Sequence, residues 1–123
     1  MKIYLIYYLF LISTLLIADN QKKYIYKTKF KSLNVGTTEI NIQDHIEDTE
    51  KLIITIESFS NKWIDLIYKL RHHSSLIVNR QDYALLNLSQ KVQQADYLDS
   101  YNAIVDYDKS VVYYENLKNL NNE

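Results

Sequence analysis

Residues 53–70 read IITIESFSNKWIDLIYKL, and this stretch decides the fold that the sequence predicts. It contains neither glycine nor proline, and the same absence extends from Thr37 to Glu123. Its apolar residues recur at spacings close to three and four, and an apolar residue then recurs at every seventh position as far as Val112, with Lys91 as the one interruption. A seven-residue repeat without helix breakers is typical of long helices that bury a narrow stripe against another helix.

The repeat therefore predicts an all-α fold. Asp44, followed three residues later by Glu47, resembles a capping box and would begin the first helix. Polar residues accumulate over 71–75 and Asn79 offers a second capping signal, so we expect an antiparallel helical hairpin or coiled coil over residues 44–74 and 79–120. One continuous long helix is the alternative, because the repeat crosses this region without losing phase.

The predicted helices would contact a protein partner, or a second copy of the chain, through one apolar stripe, which we call the predicted seam. The predicted seam consists of Ile53, Ile56, Trp63, Ile67, Leu70, Ile77, Ala84, Leu98, Val105 and Val112.

The N-terminal segment, residues 1–18, resembles an export signal. Lys2 precedes an apolar run from Ile3 to Ile17, and Ala18 leads into polar residues. This pattern predicts a secretory signal peptide that is cleaved after Ala18, and hence a periplasmic or secreted protein. An uncleaved membrane anchor is the alternative, because Leu16 is larger than the residue that such cleavage sites prefer.

Residues 19–43 form a basic segment with five lysines against Asp19 and Glu39. Alternation over 24–32, a turn at 34–37 and a short returning strand at 39–42 predict a β-hairpin or an extended arm. We expect Lys27, Lys29 and Lys31 to contact an anionic surface such as a membrane. Nucleic acid is not an expected partner, because the segment has no arginine for bidentate base contacts.

The residues that carry chemistry show no catalytic pattern. The chain has no cysteine, so thiolate metal sites and disulfides are excluded, and its single glycine, Gly36, excludes a phosphate-binding loop. His72 and His73 are adjacent, and neighbours on a helix point about 100° apart, so they would not share a metal ion. The sequence predicts no catalytic residue, no cofactor and no metal, and so a protein that is not an enzyme.

Residues 93–117 resemble the last long helix of TolC-like outer-membrane efflux proteins. In that family a segment of the form Y-L-D-x-L-x-A is common, and Tyr97, Leu98, Asp99 and Ala103 fit it, while Tyr101 stands in the aliphatic position. The resemblance implies coiled-coil contact with neighbouring helices and no catalytic residue. Members of the family are several times longer, so the chain would be a short relative or a truncated form.

Two functions follow from this reading. The first is an exported, non-enzymatic helical structural or interaction protein of the cell envelope, related to an efflux-channel component. The alternative is a secreted or membrane-anchored helical module that binds a lipid surface or a small ligand through its basic arm. Residues 44–120 would form the helical domain and residues 121–123 a tail.

Overall fold

The computed structural model describes residues 21–117, which form one antiparallel sheet of seven strands. Each strand pairs with its neighbours in chain order, so the topology is a meander with β1 and β7 at the two edges. The strands are β1 (Lys22–Phe30), β2 (Leu33–Asp44), β3 (Lys51–Ser60), β4 (Leu70–Asn79), β5 (Leu85–Gln94), β6 (Tyr97–Asp106) and β7 (Val111–Asn116).

The predicted all-α fold is wrong. Residues 21–117 contain no α-helix, and strands replace both the helical hairpin over 44–74 and 79–120 and the alternative of one continuous helix. No helix long and apolar enough to cross a bilayer occurs in this part of the chain. The predicted signal or anchor over 1–18 and the tail over 121–123 lie outside the described residues.

The residue types in the strands explain why they are extended. β3 contains the run Ile53-Ile54-Thr55-Ile56, in which every side chain is branched at Cβ. Branching at Cβ restricts a side chain against the preceding turn of a helix, but it packs well on a pleated surface. The local preference therefore favours a strand where the apolar spacing had indicated a helix.

The turns of the sheet are made without glycine. Five other residues have a positive φ, at 44° for Lys31, 71° for Ser32, 58° for Tyr83, 50° for Ala95 and 55° for Ser110. Lys31 and Ser32 form the two-residue connection of β1 and β2, where positive φ at both positions matches the twist of a hairpin. Each left-handed residue costs roughly 1–2 kcal/mol. The lack of glycine after Gly36 favours uninterrupted helix, but it does not prevent turns in residues 21–117.

The residues interpreted as helix caps serve the turns instead. Asp44 is the last residue of β2, and its carboxylate accepts a hydrogen bond from Arg80. Asn79 Oδ1 accepts from the amide of Gln81 at 2.8 Å, and Asp82 Oδ1 accepts from the amide of Ala84 at 3.0 Å. Short Asn and Asp side chains favour helix caps and tight turns for the same reason, since they bond nearby backbone amides.

The basic segment forms the β1–β2 hairpin. The turn lies at residues 31–32 and not at 34–37, which belong to β2, and β2 continues to Asp44. All nine residues of β1 are exposed. Lysines on an exposed edge strand discourage pairing with another chain, which gives this lysine-rich strand a structural role.

Successive residues of a strand point to opposite faces, so the register divides the sheet into two surfaces. Face A carries the even-numbered residues of β2, β3 and β4 and the side chains aligned with them; face B carries the odd-numbered ones. One row of face A crosses four strands through Ile42, Ile54, Leu76 and Leu88. The apolar residues of face A on these strands are Ile40, Ile42, Leu52, Ile54, Ile56, Leu70, Leu76, Val78, Leu85, Leu88 and Val92.

Face A changes character along the strands. Leu52 pairs with Val78 near one end of the sheet. Toward the other end the row that follows Ile56 and Ser74 contains Ser58 opposite His72. Face A therefore has an apolar half and a mainly polar half, in which Leu70 and Val92 are the exceptions on β2 to β5. The two halves meet near Ile56.

The sheet is a single layer. Strands that are not neighbours make almost no contact with one another in residues 21–117. The buried apolar residues of this part are Leu52, at 7% exposed, and Val78, at 3%. The other apolar residues of face A on β2 to β5 are half-buried. The core therefore lies along β3 and β4 under the apolar half of face A.

Candidate functional site

On β2 to β5, face A is the more apolar of the two faces that the fold leaves open. Globular domains normally bury the apolar face of a sheet under a second layer of helices or strands. No second layer covers the apolar half among residues 21–117. Something outside the described residues has to cover face A for its apolar residues to leave water.

The polar half of face A is internally hydrogen-bonded. Ser74, only 4% exposed, shares a hydrogen bond of 2.8 Å between its Oγ and His72 Nε2. The Tyr101 hydroxyl donates to Gln90 Oε1 at 2.8 Å, and the Tyr101 ring packs against Tyr114 with centroids 5.3 Å apart. No buried side-chain nitrogen or oxygen in the described part of the chain lacks a partner. Its buried polar side chains thus leave no unmet hydrogen bond for a covering partner to supply.

Ser74 and His72 are the nearest approach to a catalytic pair. A serine nucleophile needs a histidine base that a third group orients, together with free amides that stabilise an oxyanion. No other side chain between residues 21 and 117 hydrogen-bonds His72, and both residues lie inside β4, whose amides face the sheet ladder. The pair therefore reads as hydrogen-bonded lining of face A. That the chain is not an enzyme stays a prediction.

The two adjacent histidines point to opposite faces of β4. His72 lies on face A, whereas His73 lies on face B with its Nδ1 3.1 Å from Glu57 Oε1. Neighbouring side chains on a strand point about 180° apart, further than the 100° that separates neighbours on the predicted helix. Across residues 21–117 no three His, Asp or Glu side chains are grouped as metal ligands.

The surface depressions are shallow, open areas on a single-layer sheet and do not enclose a ligand. One of about 340 Å³ on face B is lined by Glu57, Arg71, His73 and Lys91, and one of about 290 Å³ lies over His72 on face A. Pockets for small ligands usually measure about 300–1,000 Å³ and enclose most of the ligand. Surfaces rather than these depressions are therefore the candidate sites.

The two ends of the sheet carry opposite charge. We call residues 29–33, 61–71 and 94–98 the basic rim, since the meander brings these three connections to one end. The opposite connections, residues 44–51, 79–85 and 106–111, form the acidic rim. The basic rim carries Lys29, Lys31, Lys62, Lys69 and Arg71 against Asp65 and Asp96, and the acidic rim carries Asp44, Glu47, Asp48, Glu50, Asp82, Asp106 and Asp108 against Lys51, Arg80 and Lys109.

A hydrogen-bonded network fixes the β3–β4 loop of the basic rim. The Asp65 carboxylate accepts hydrogen bonds from the Arg71 guanidinium, one of them at 3.0 Å, and from the Ser60 hydroxyl. Ser60, 7% exposed, also accepts from the Leu70 amide at 2.9 Å. Arg71, followed by Ser60, lowers the pKa of Asp65, and Asp65 in turn raises the pKa of Arg71.

Hydrogen bonds join this loop to the start of β2 on one side and to the β5–β6 connection on the other. The Asn61 amide donates to Val35 O at 3.1 Å, and the Asn61 side chain donates to Asn34 O at 2.7 Å. On the other side the Ala95 amide donates to Lys69 O at 2.8 Å. The basic rim is therefore one continuous surface and not three separate turns.

The acidic rim is partly neutralised by its own cations. Lys51 lowers the pKa of Asp48, and Lys109 lowers the pKa of Asp106, each through an ion pair of 2.9 Å. Arg80 donates to Thr49 O at 2.7 Å as well as to Asp44. In contrast, the four lysines of the basic rim form no ion pair with any residue between 21 and 117.

The predicted seam does not form one stripe. Ile53, Ile77 and Leu98 lie on face B. Trp63 and Ile67 lie in the β3–β4 loop, and Ala84 lies in the β4–β5 connection. The remaining four, Ile56, Leu70, Val105 and Val112, lie on face A.

The three lysines of the predicted anionic contact are also divided. Lys27 lies within β1 opposite Thr37, and Lys29 follows the bulge of that strand. Lys31 lies in the turn, with its Nζ 5.7 Å from the centroid of the Phe30 ring. Only Lys29 and Lys31 therefore belong to the basic rim.

Both functions predicted from a helical chain are wrong in their architecture. An all-β chain conflicts with a helical component of an efflux channel, and equally with a helical module that binds lipid or a small ligand. The predicted coiled coil and helical hairpin are wrong for the same reason. Sequence reasoning missed face A as a surface and also missed the basic rim, which forms only when distant connections meet.

No family model, curated protein or solved structure matches this chain, so the resemblance to TolC-like proteins is neither confirmed nor refuted.

Proposed function

We propose that this chain is a non-enzymatic β-sheet module that functions by self-association, with face A of one copy covering face A of another. The observation that carries the proposal is the single-layer sheet, whose apolar face has only Leu52 and Val78 buried within the described part. A second copy supplies the missing layer and needs no other partner. The product is a sandwich of two sheets, which stack about 10 Å apart.

The size of face A suits a stable dimer. Seven strands about 4.8 Å apart and about ten residues long, at about 3.3 Å per residue, give a face of roughly 1,000 Å². Two copies would bury at most about 2,000 Å² together, at the upper end of a standard protein interface. Twist reduces the area in contact, and stacked sheets cross at about 30°.

The division of face A into an apolar half and a polar half decides how the two copies are oriented. If the twofold axis runs parallel to the strands, the apolar half around Leu52 and Val78 meets its equivalent. If the axis runs across the strands, the apolar half meets the polar half around His72, and burial is lost. We therefore expect the first arrangement, in which both basic rims lie at the same end of the dimer.

The test compares two neighbouring residues of β3 that point in opposite directions. Ile54 lies on face A between Ile42 and Leu76, and Ile53 lies on face B opposite Ile77. Threonine at either position keeps the branched Cβ and the preference for a strand. Ile54→Thr removes about 0.8 kcal/mol of burial on association from each copy, or about 1.6 kcal/mol per dimer. The dissociation constant should rise about 15-fold.

The measurement is sedimentation equilibrium of the full-length chain over a range of concentrations, with circular dichroism to check that each variant is folded. Ile53→Thr should change the dissociation constant by less than about threefold, as expected of a residue outside the interface. Both variants retain the same N-terminal run, so any difference between them reports on the face. Equal effects at the two positions, or a parent chain that stays monomeric, would overturn the proposal.

Export from the cytoplasm is part of the proposal. It rests on the predicted signal over residues 1–18, and it places the dimer in the periplasm or outside the cell. Mass spectrometry of the protein from cell fractions should give a chain that begins at Asp19. An intact chain in the cytoplasmic fraction would contradict export without affecting the dimer.

A further inference from the structure

The geometry points to a second surface: the basic rim docks on an anionic lipid surface, with Leu66 and Ile67 inserted below the headgroups and the rim lysines in contact with lipid phosphates. This inference does not depend on pairing through face A, because the rim lies at the end of the sheet. It rests on exposure, charge and rigidity of the β3–β4 loop.

The loop presents large apolar side chains to solvent. Leu66 is 88% exposed and Ile67 is 82% exposed, more than any other large apolar side chain in residues 21–117 except Ile46. Trp63 and Tyr68 flank them at 46% and 48%. Aliphatic tips flanked by amphipathic rings are arranged as in proteins that enter the headgroup region, where Trp and Tyr rings are enriched.

The charge around these side chains fits an anionic bilayer. Lys62 and Lys69 border the loop, and Lys29 and Lys31 lie on the adjoining turn. Asp65, the one carboxylate inside the loop, is engaged by Arg71 and Ser60 and so presents little free negative charge. Basic residues next to anionic lipid contribute about fivefold each to partitioning.

The fixed conformation of the loop favours insertion. The Asp65 amide donates to Asn61 O at 2.9 Å and the Tyr68 amide to Ile64 O at 2.8 Å, so the turn is closed by its own backbone. Binding therefore does not have to order a mobile segment, which would weaken it. Two protruding aliphatic tips also fit a fluid bilayer without a matching pocket, whereas a protein partner would need one.

The opposite rim gives the molecule a direction. Its aspartates and glutamates outnumber its cations, so an anionic surface repels that end while it attracts the basic rim. The strands would then stand away from the membrane, and face A would remain accessible to a second copy.

The test uses Trp63, the only tryptophan of the chain, as an intrinsic reporter. The full-length protein is added to phosphatidylcholine vesicles with and without phosphatidylglycerol, and lipids brominated in the acyl chains serve as quenchers. We expect Trp63 emission to shift to the blue and to be quenched only where phosphatidylglycerol is present, and the effect to weaken with salt. The N-terminal run contains no tryptophan, so the quenching reports the position of the β3–β4 loop.

Matched variants locate the contact. The double variant Lys62→Gln with Lys69→Gln should raise the lipid concentration for half-binding about 30-fold. Lys51→Gln with Lys109→Gln makes the same change in net charge at the acidic rim. This control should leave the lipid concentration for half-binding unchanged. Leu66→Ser with Ile67→Ser should abolish the quenching while circular dichroism stays the same.

Three results would overturn the inference. The first is no change in Trp63 emission on anionic vesicles, and the second is an equal loss of vesicle binding from the two pairs of lysine variants. The third is a change in Trp63 emission with soluble polyglutamate but not with vesicles. The last result would assign the rim to an acidic protein partner.

Discussion

Replacing Val78 by alanine should destabilise the sheet more than replacing its larger neighbour Ile77. Val78 lies on face A, is 3% exposed and pairs with Leu52, whereas Ile77 is half-buried on face B opposite Ile53. Val78→Ala removes two buried methyl groups, worth about 1.6 kcal/mol at about 0.8 kcal/mol each. The cavity left behind adds to this, for a total of about 2–3 kcal/mol.

Ile77→Ala removes three carbons, but part of their surface is already in water, so the same arithmetic gives about 1.5–2 kcal/mol, and no enclosed cavity on the open face adds to it. Both variants carry alanine in the same strand, so the loss of strand preference nearly cancels between them. Urea unfolding at one fixed protein concentration, followed by circular dichroism, measures the two changes. A larger loss for Ile77→Ala than for Val78→Ala would refute the assignment of the core to face A.

Three further predictions concern other parts of the fold. Gly36→Ala should lower the free energy of unfolding by about 1–2 kcal/mol, because the new Cβ would lie 3.0 Å from the Phe59 carbonyl oxygen of the paired strand. Urea unfolding with an unchanged slope measures this loss. Equal stability would show that the backbone of β3 moves away from the new Cβ without cost. Arg71 depresses the pKa of Asp65 below its usual value of 3.8, so the ion pair stabilises the folded state above that pH and is lost as pH falls through the lowered pKa. Asp65→Asn should therefore be less stable than the parent near neutral pH. In thermal melts the difference in stability should disappear only below about pH 4. Association through face A should tighten between 0.01 M and 0.15 M salt, because it brings like-charged rims within roughly 10 Å; sedimentation that shows weaker association with salt would argue for the opposite orientation of the copies.

The sequence correctly indicated extended structure only where alternation was plain. Residues 24–32 alternate and overlap β1, whereas the predicted turn at 34–37 lies after the observed turn at 31–32. The same alternation is weaker in β3, because Ile53, Ile54 and Ile56 place apolar side chains on both faces. A strand with two half-buried faces loses its period of two, so its apolar spacing resembles that of a helix.

Some residue types in the sequence do indicate the strands and turns. Runs of branched side chains such as 53–56 prefer strands, and Asn79 and Asp82 support turns as readily as caps. The turns themselves gave little warning, because Tyr83 and Ala95 take left-handed conformations that such residues rarely adopt.

The candidate surfaces could not be predicted from local sequence at all. The basic rim joins residues near Lys31, Trp63 and Ala95, which are far apart in the chain and meet only because alternate connections of a meander share one end. Face A likewise depends on register, since a shift of one residue would exchange the two faces.

The most direct test of covering through face A is thiol accessibility in single-cysteine variants, which the absence of native cysteine makes clean. Ile56→Cys places the thiol on face A, and Thr55→Cys places it next in the chain on face B. The labelling rate of the face A thiol should fall as the concentration of the full-length chain rises through the dissociation constant, while the face B thiol should label at a constant rate. A rate on face A that does not depend on concentration, in a range where the face B rate is also constant, would contradict self-association through this face.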